Sequence, residues 1–234
     1  MKKLVVVTGG TKGIGRAVVE KFAGHGFDVV VSARNAAELS VMQSEVERKF
    51  NVQVFVRSTD MAVKEAVTDF THFIRQLNRP VDVLVNNTGY FVPGQISSEP
   101  DGTLEGMMNA NLYSAYHMTR GLVDGMKAAN RGHIFNMCSI ASFTAYPNGG
   151  SYAISKFALL GFSKCLREEL KSFQIRVTAV MPGATRTASW DGVDLPDERF
   201  MSAEDVADSI FNVYSLSPRT VVEEIVLRPQ QGDI

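Results

Sequence analysis

Cysteine is scarce in this chain: of 234 residues only Cys138 and Cys165 carry a thiol, each in an apolar stretch with no second cysteine or histidine cluster beside it. That usage excludes a disulfide framework and a zinc ligand set, and predicts two buried free thiols in a protein of the reducing cytoplasm. His25, His72, His117 and His133 stand without ligand spacing, so no metal site is expected. An excess of either charge is also missing. Lys and Arg number 24 against 25 Asp and Glu, a net charge of −1. The cations are scattered, and without a basic stripe no nucleic-acid partner is expected. Long apolar runs are absent too. None approaches the roughly 18 residues of a membrane span, and the run after Met1-Lys2-Lys3 is broken at Thr8-Gly9-Gly10, too soon for the core of a signal peptide. Nor does any repeat, low-complexity segment or linker divide the chain, which predicts one domain over residues 1–234.

What is present, 45% hydrophobic and 21% charged residues, belongs to an ordinary globular protein. Short β-branched runs recur at Leu4 to Val7, Val29 to Val31, Val52 to Val56, Val81 to Val85, His133 to Met137, Ile175 to Met181 and Val221 to Leu227. Between them apolar residues fall three or four apart, as in Val67, Phe70, Phe73, Ile74 and Leu77, the period of helices. Continuous apolar strands alternating with helices predict an α/β fold: a doubly wound parallel sheet of about seven strands, helices on both faces, and ligands at the carboxyl ends of the strands. Two irregular stretches, about 90–102 and 184–201, follow strand ends and are expected to be substrate loops; the second holds Trp190, the one tryptophan.

The first strand breaks into Thr8-Gly9-Gly10-Thr11-Lys12-Gly13-Ile14-Gly15 and resumes as a helical pattern. A strand that turns this sharply into a helix needs glycines where backbone meets backbone or an anion, and the unpaired amides at the helix start suit a pyrophosphate. The second strand ends in Ser32-Ala33-Arg34-Asn35. An acid at this point would accept the ribose 2′-hydroxyl of NAD, whereas a base accommodates the 2′-phosphate of NADP. The acid is missing and Arg34 is there, with Lys12 as a second cation, so NADP(H) is expected over NAD(H).

Tyr152 and Lys156 are four residues apart at the start of a helical pattern, so both project from one face. A phenol ordinarily titrates near 10; lowering that by roughly three units takes about 4 kcal/mol, within reach of a close ammonium in a partly dry site. Ser139 follows the run Ile134 to Cys138, at a strand's carboxyl end where a hydroxyl can bind a carbonyl oxygen; Ser142 competes for that role.

Together, the glycine loop, Ser139, Tyr152 and Lys156, in this order, resemble the short-chain dehydrogenase/reductase family in its compact single-domain form, over nearly the whole chain from Leu4 to about Leu227. The resemblance implies a Rossmann-like sheet, a catalytic set of Asn111, Ser139, Tyr152 and Lys156, and cofactor contacts from Gly9, Thr11, Lys12, Gly13, Ile14, Gly15, Arg34 and Asn35. Asp60-Met61 resembles the pair that contacts adenine. Asn87, Thr88 and Gly89 match the Asn-Asn-Ala-Gly turn, with Thr88 in place of alanine, and Pro182, Gly183, Thr185 and Thr187 match the segment at the nicotinamide. Tyr152 and Lys156 also touch the cofactor in such proteins. Implied in turn are carbonyl–alcohol interconversion by hydride transfer with Tyr152 as acid and base, a water held by Asn111 to resupply protons, and a homodimer or homotetramer. That oligomer would be built through the helices holding Asn111 and residues 152–173. Phe91, Phe143, Tyr146 and Trp190 suit either an apolar carbonyl or alcohol substrate or the packing of loops or a subunit contact. A cofactor-binding sensor without catalysis and an NAD-dependent alcohol dehydrogenase of the same family are the rival readings. The chain departs from many relatives in ending Ile225-Val226-Leu227-Arg228-Pro229, without a Gly-Gly pair after the last strand.

Overall fold

The structure is a computed structural model that describes residues 1–187, 190, 192 and 194–234. Seven strands form one parallel sheet: β1 (Leu4–Thr8), β2 (Asp28–Ala33), β3 (Val54–Ser58), β4 (Val83–Asn86), β5 (Gly132–Met137), β6 (Ile175–Pro182) and β7 (Glu224–Leu227), in the order β3-β2-β1-β4-β5-β6-β7. All six pairings are parallel. The doubly wound α/β fold expected from the apolar strands is the one found.

Why the central strands read as unbroken apolar runs is visible in their packing. Val5 and Val7 of β1 and Val29 and Val31 of β2 enter one core with α1 (Gly13–Gly24), α2 (Ala36–Phe50) and α7 (Ala203–Tyr214). Leu4, Val6 and Val30, pointing the other way, enter a second core with α3 (Lys64–Gln76), α5 (Ser114–Ala129) and α6 (Gly150–Leu170). With both faces covered, alternate residues have no water to face. A short α4 (Thr103–Met108) runs into a π-helical turn, Asn109–Tyr113, before α5 begins.

The edge strands depart from expectation for the same reason in reverse. β3 starts at Val54, two residues later than the apolar run, because Asn51 ends α2 in the left-handed conformation (φ 52°) and Val52-Gln53 lead the chain back to the sheet. β7 is limited to Glu224–Leu227 and alternates exposed and half-buried residues, as an edge with one open face does. A second correction concerns the thiols. Cys138 is buried, but Cys165 is exposed, because it lies on the face of α6 opposite Leu159, Ser163 and Leu166. Among the described residues no helix is long and apolar enough to cross a membrane.

The strand order reverses between β1 and β4, and the chain leaves both strands in opposite directions at their carboxyl ends. That crevice is where an open α/β sheet can admit a ligand.

Candidate active site

At the mouth of the crevice β1 turns into α1. Gly9 takes a left-handed φ of 67°, and at Gly15 a Cβ would run into the carbonyl oxygen of Gly9, so this turn closes only with hydrogen there. The turn is stitched to β4: Asn87 Nδ2 donates to the carbonyls of Thr8 (2.9 Å) and Gly9 (3.0 Å), and Thr8 Oγ1 accepts from the amides of Asn87 and Thr88. α1 begins without a side-chain cap and without an acid in its first turn, leaving its amide end to an anion. Thr187 lies over the same loop, its Cγ2 3.0 Å from where a Gly13 Cβ would be. Thr88 adds a buried hydroxyl that has no hydrogen-bond partner among the described residues and faces Gly9. These residues fit a dinucleotide: an amide-lined turn for the pyrophosphate, and a free buried hydroxyl beside it.

The catalytic candidates meet at the carboxyl end of β5. Tyr152 and Lys156 extend from the first two turns of α6, with Lys156 Nζ 5.7 Å from the Tyr152 ring centre and donating to the Met137 carbonyl at 2.7 Å. Ser139 follows β5 directly, and its side chain lies near enough to the Tyr152 phenol to favour the phenolate. Of the two serine candidates the structure brings only this one to the tyrosine: Ser142 is a brace whose hydroxyl accepts from the Ser139 amide at 3.2 Å. Burial dominates the electrostatics. It raises Tyr152 above its ordinary value, with Ser139 opposing, and lowers Lys156 to about 8, with Cys138 opposing. The buried Cys138 thiol is pushed up to about 11.

Asn111 sits in the π-helical turn, but its side chain is already engaged. Oδ1 accepts from the Tyr90 amide (2.9 Å), while Nδ2 donates to the Tyr90 carbonyl (3.1 Å) and to Ser155 Oγ (2.9 Å). It ties the start of the 90–102 stretch to α6. A Cβ on Gly89 would stand 2.9 Å from Asn111 Oδ1 and 3.5 Å from Lys156 Nζ, so this glycine leaves room for both.

The mouth is aromatic. Phe91 packs edge-on against Tyr152 at 4.9 Å, and Phe143 and Tyr146 are about two-fifths exposed, at 41% and 39%. Trp190 packs on Phe200 at 5.2 Å. Within the expected 184–201 loop, residues 188, 189, 191 and 193 lie outside the described residues. Thr185 is buried, donates to the Gly183 carbonyl and pairs with Met201; Gly183 itself donates to Leu227 at the end of β7.

At the opposite end of the crevice the expected residues divide. Arg34 is exposed and takes part in no ion pair among the described residues. Asn35 caps α2, its Oδ1 accepting from Ala37 and Glu38. Asp60 caps its own turn at Ala62, and the Met61 side chain is buried in the core under Ser32, whose hydroxyl donates to its sulfur at 3.4 Å. Lys12 is not the unengaged cation that the sequence suggests. Its ammonium is paired with Glu38 Oε1 at 2.9 Å, so the acid missing from the end of β2 is supplied from the first turn of α2. Sequence reasoning missed Glu38 because it sought an acid at the strand end alone.

The sequence profile of the family described as short chain dehydrogenase matches residues 3–196. Sepiapterin reductase of Chlorobaculum tepidum is 35% identical, with 100% of this chain and 99% of that protein covered. L-sorbose reductase of Gluconobacter frateurii, solved with NADPH and L-sorbose, is 28% identical with a TM-score of 0.91, covering 97% of this chain and 95% of that one. A metagenomic short-chain oxidoreductase solved with NADP is also 28% identical, with a TM-score of 0.84 and 97% of each chain covered.

Proposed function

This chain belongs to the short-chain dehydrogenase/reductase family, and from that membership and the site's geometry we propose that it interconverts a carbonyl and an alcohol with NADP(H), Tyr152 serving as the acid and base. The observation that carries this reading is the placing of Ser139 directly after β5 beside the first turns of α6, where the Lys156 ammonium stands 5.7 Å from the Tyr152 ring centre and is anchored to the Met137 carbonyl. When bound, the cofactor supplies the hydride to the carbonyl carbon. The chain does the rest. Ser139 holds the carbonyl oxygen, Tyr152 Oη gives it a proton, and in the reverse direction the phenolate takes that proton from the alcohol. Lys156, still mainly protonated at neutral pH, holds the nicotinamide ribose hydroxyls and offsets negative charge on Tyr152. Asn111 is a positioning residue in this scheme, bracing Tyr90 against α6. Thr185, Thr187, Pro182 and Gly183 flank the nicotinamide end; Gly9, Thr11, Gly13, Ile14 and Gly15 line the pyrophosphate; Arg34 takes the 2′-phosphate.

Two aspects of the partner follow. Aromatic groups at the mouth suit a carbonyl compound with an apolar or planar body, and the relatives direct the first trials. The chain's 35% identical relative is named for sepiapterin, a pterin with a side-chain ketone, and a solved neighbour was crystallised with L-sorbose. The test is NADPH oxidation across sepiapterin, L-sorbose, acetoin and simple aryl ketones, beside a direct NADPH and NADH binding titration. Turnover with tighter NADPH binding supports the reading. Tight binding without turnover on any carbonyl favours a sensor, and equal affinity for both cofactors rejects the NADP(H) preference.

A further inference from the structure

We propose that Glu38 is a specificity-determining residue: by holding Lys12 it restrains affinity for the 2′-phosphorylated cofactor and keeps the site open to NAD(H). The inference rests on the adenosine end of the cofactor lying between the glycine loop and the end of β2, as in the function proposed above.

The arrangement is built from several contacts. Asn35 Oδ1 accepts the amides of Ala37 and Glu38, fixing the first turn of α2, and Asn35 Nδ2 donates to Glu38 Oε1 at 3.1 Å. The same oxygen accepts from Lys12 Nζ at 2.9 Å. The carboxylate is therefore aimed across at the glycine loop, and Lys12, foremost among its partners, holds its pKa below the usual carboxylate value. The neighbouring anions have other partners: Glu20 and Glu45 are bound by Arg16, and Glu20 also by Lys49. Glu38 is thus the acid that faces Lys12.

The charges at this corner decide what it accepts. Arg34 and Lys12 contribute two positive charges and Glu38 one negative. A 2′-phosphate brings about −1.5 to −2 at neutral pH. To meet it, Lys12 has to exchange the carboxylate for the phosphate, and Glu38 is then left as an anion beside another anion. A free 2′-hydroxyl asks for neither change, because a carboxylate accepts its hydrogen bond directly. The Lys12–Glu38 pair is exposed, with the lysine side chain 68% accessible, so the restraint is moderate and the preference for NADP(H) is tempered, not reversed.

The experiment is a set of NADPH and NADH dissociation constants, measured by nicotinamide fluorescence at fixed ionic strength, for the unmodified protein, Glu38→Gln, Lys12→Met and the double variant. Glutamine keeps the length and one hydrogen-bonding oxygen while it removes the charge and turns the other oxygen into an NH2 donor. Glu38→Gln is expected to tighten NADPH roughly two- to tenfold while NADH stays the same or weakens, and the NADPH gain should shrink in the Lys12→Met background. An unchanged NADPH-to-NADH ratio in Glu38→Gln overturns the proposal, leaving Glu38 as a solvated charge at a helix start. An equal gain with and without Lys12 also overturns it, because Glu38 would then act without engaging Lys12. The unmodified protein's own ratio reads the cofactor preference separately, so the failure of either idea is visible without the other.

Discussion

Tyr152 and Lys156 are both pushed by burial toward their neutral forms, the phenol upward and the ammonium down to about 8. The sequence suggested a lysine that depresses its neighbour; in the folded chain the same dry surroundings that strengthen their interaction also work against the charge on each. A group at about 8 is still roughly nine-tenths protonated at pH 7, so the cation is present at neutral pH and lost as pH rises through 8. NADPH affinity is accordingly expected to fall across pH 7–9 in the unmodified protein. In Lys156→Met it should be weaker at pH 7 and show no such fall. Dissociation constants measured at several pH values check this, and an identical alkaline fall in both proteins would assign it to another group. Single residues were unevenly legible. Tyr152, Lys156 and Ser139 were legible as candidates through their order after the glycine loop, since Tyr and Lys four apart are common on any amphipathic helix. Glu38 was not, since its role depends on where the first turn of α2 directs it.

Among elements, the stretch 90–102 is attached to the helix that carries the tyrosine. Ser151, next to Tyr152, donates to Glu99 Oε1, and Gly94 donates to the Asn148 carbonyl at 3.1 Å. The Glu99 carboxylate also lies against the start of α6, close to Gly150, where an anion complements the helix dipole. Because this stretch carries Phe91 onto Tyr152, loosening it should affect how substrate is held more than how the cofactor binds. Glu99→Ala is expected to raise KM for the carbonyl roughly two- to tenfold, the equivalent of one hydrogen bond of about 0.5–1.5 kcal/mol, with NADPH affinity unchanged. Glu99→Gln, which keeps an acceptor for Ser151, should recover most of the loss. A KM in Glu99→Ala equal to that of the unmodified protein would show that the attachment has no part in binding. Helices and central strands were readable from periodicity, yet the π-helical turn Asn109–Tyr113 was not. It is defined by one wider turn of hydrogen bonds, leaves the residue pattern of α4 and α5 intact, and is often found at functional sites.

For the molecule as a whole, hydrophobic patterning was enough to specify a parallel doubly wound sheet, because only a sheet covered on both faces tolerates strands such as Val5-Val6-Val7 and Val29-Val30-Val31. It could not specify the ends of β3 and β7, where one side is open and the selection for apolar residues fades. Some apolar surface remains uncovered: Tyr113 at the end of the π-helical turn, Tyr116 in the first turn of α5 and Phe157 on α6 are 46%, 36% and 47% exposed. These belong to the helices through which self-association was expected, so light scattering after size-exclusion chromatography should give a dimer or tetramer, with Phe157→Glu shifting it toward smaller species. A monomer at tens of micromolar would remove that expectation. The central claim is that this crevice holds a working proton donor beside a hydride site. Its most direct test is NADPH oxidation with a carbonyl that the unmodified protein reduces, compared between that protein and Tyr152→Phe, with NADPH affinity measured on both. Removing one hydroxyl should lower the rate by roughly 10²-fold or more at nearly constant NADPH affinity. A Tyr152→Phe protein that binds NADPH and reduces the same carbonyl at the original rate would contradict the account.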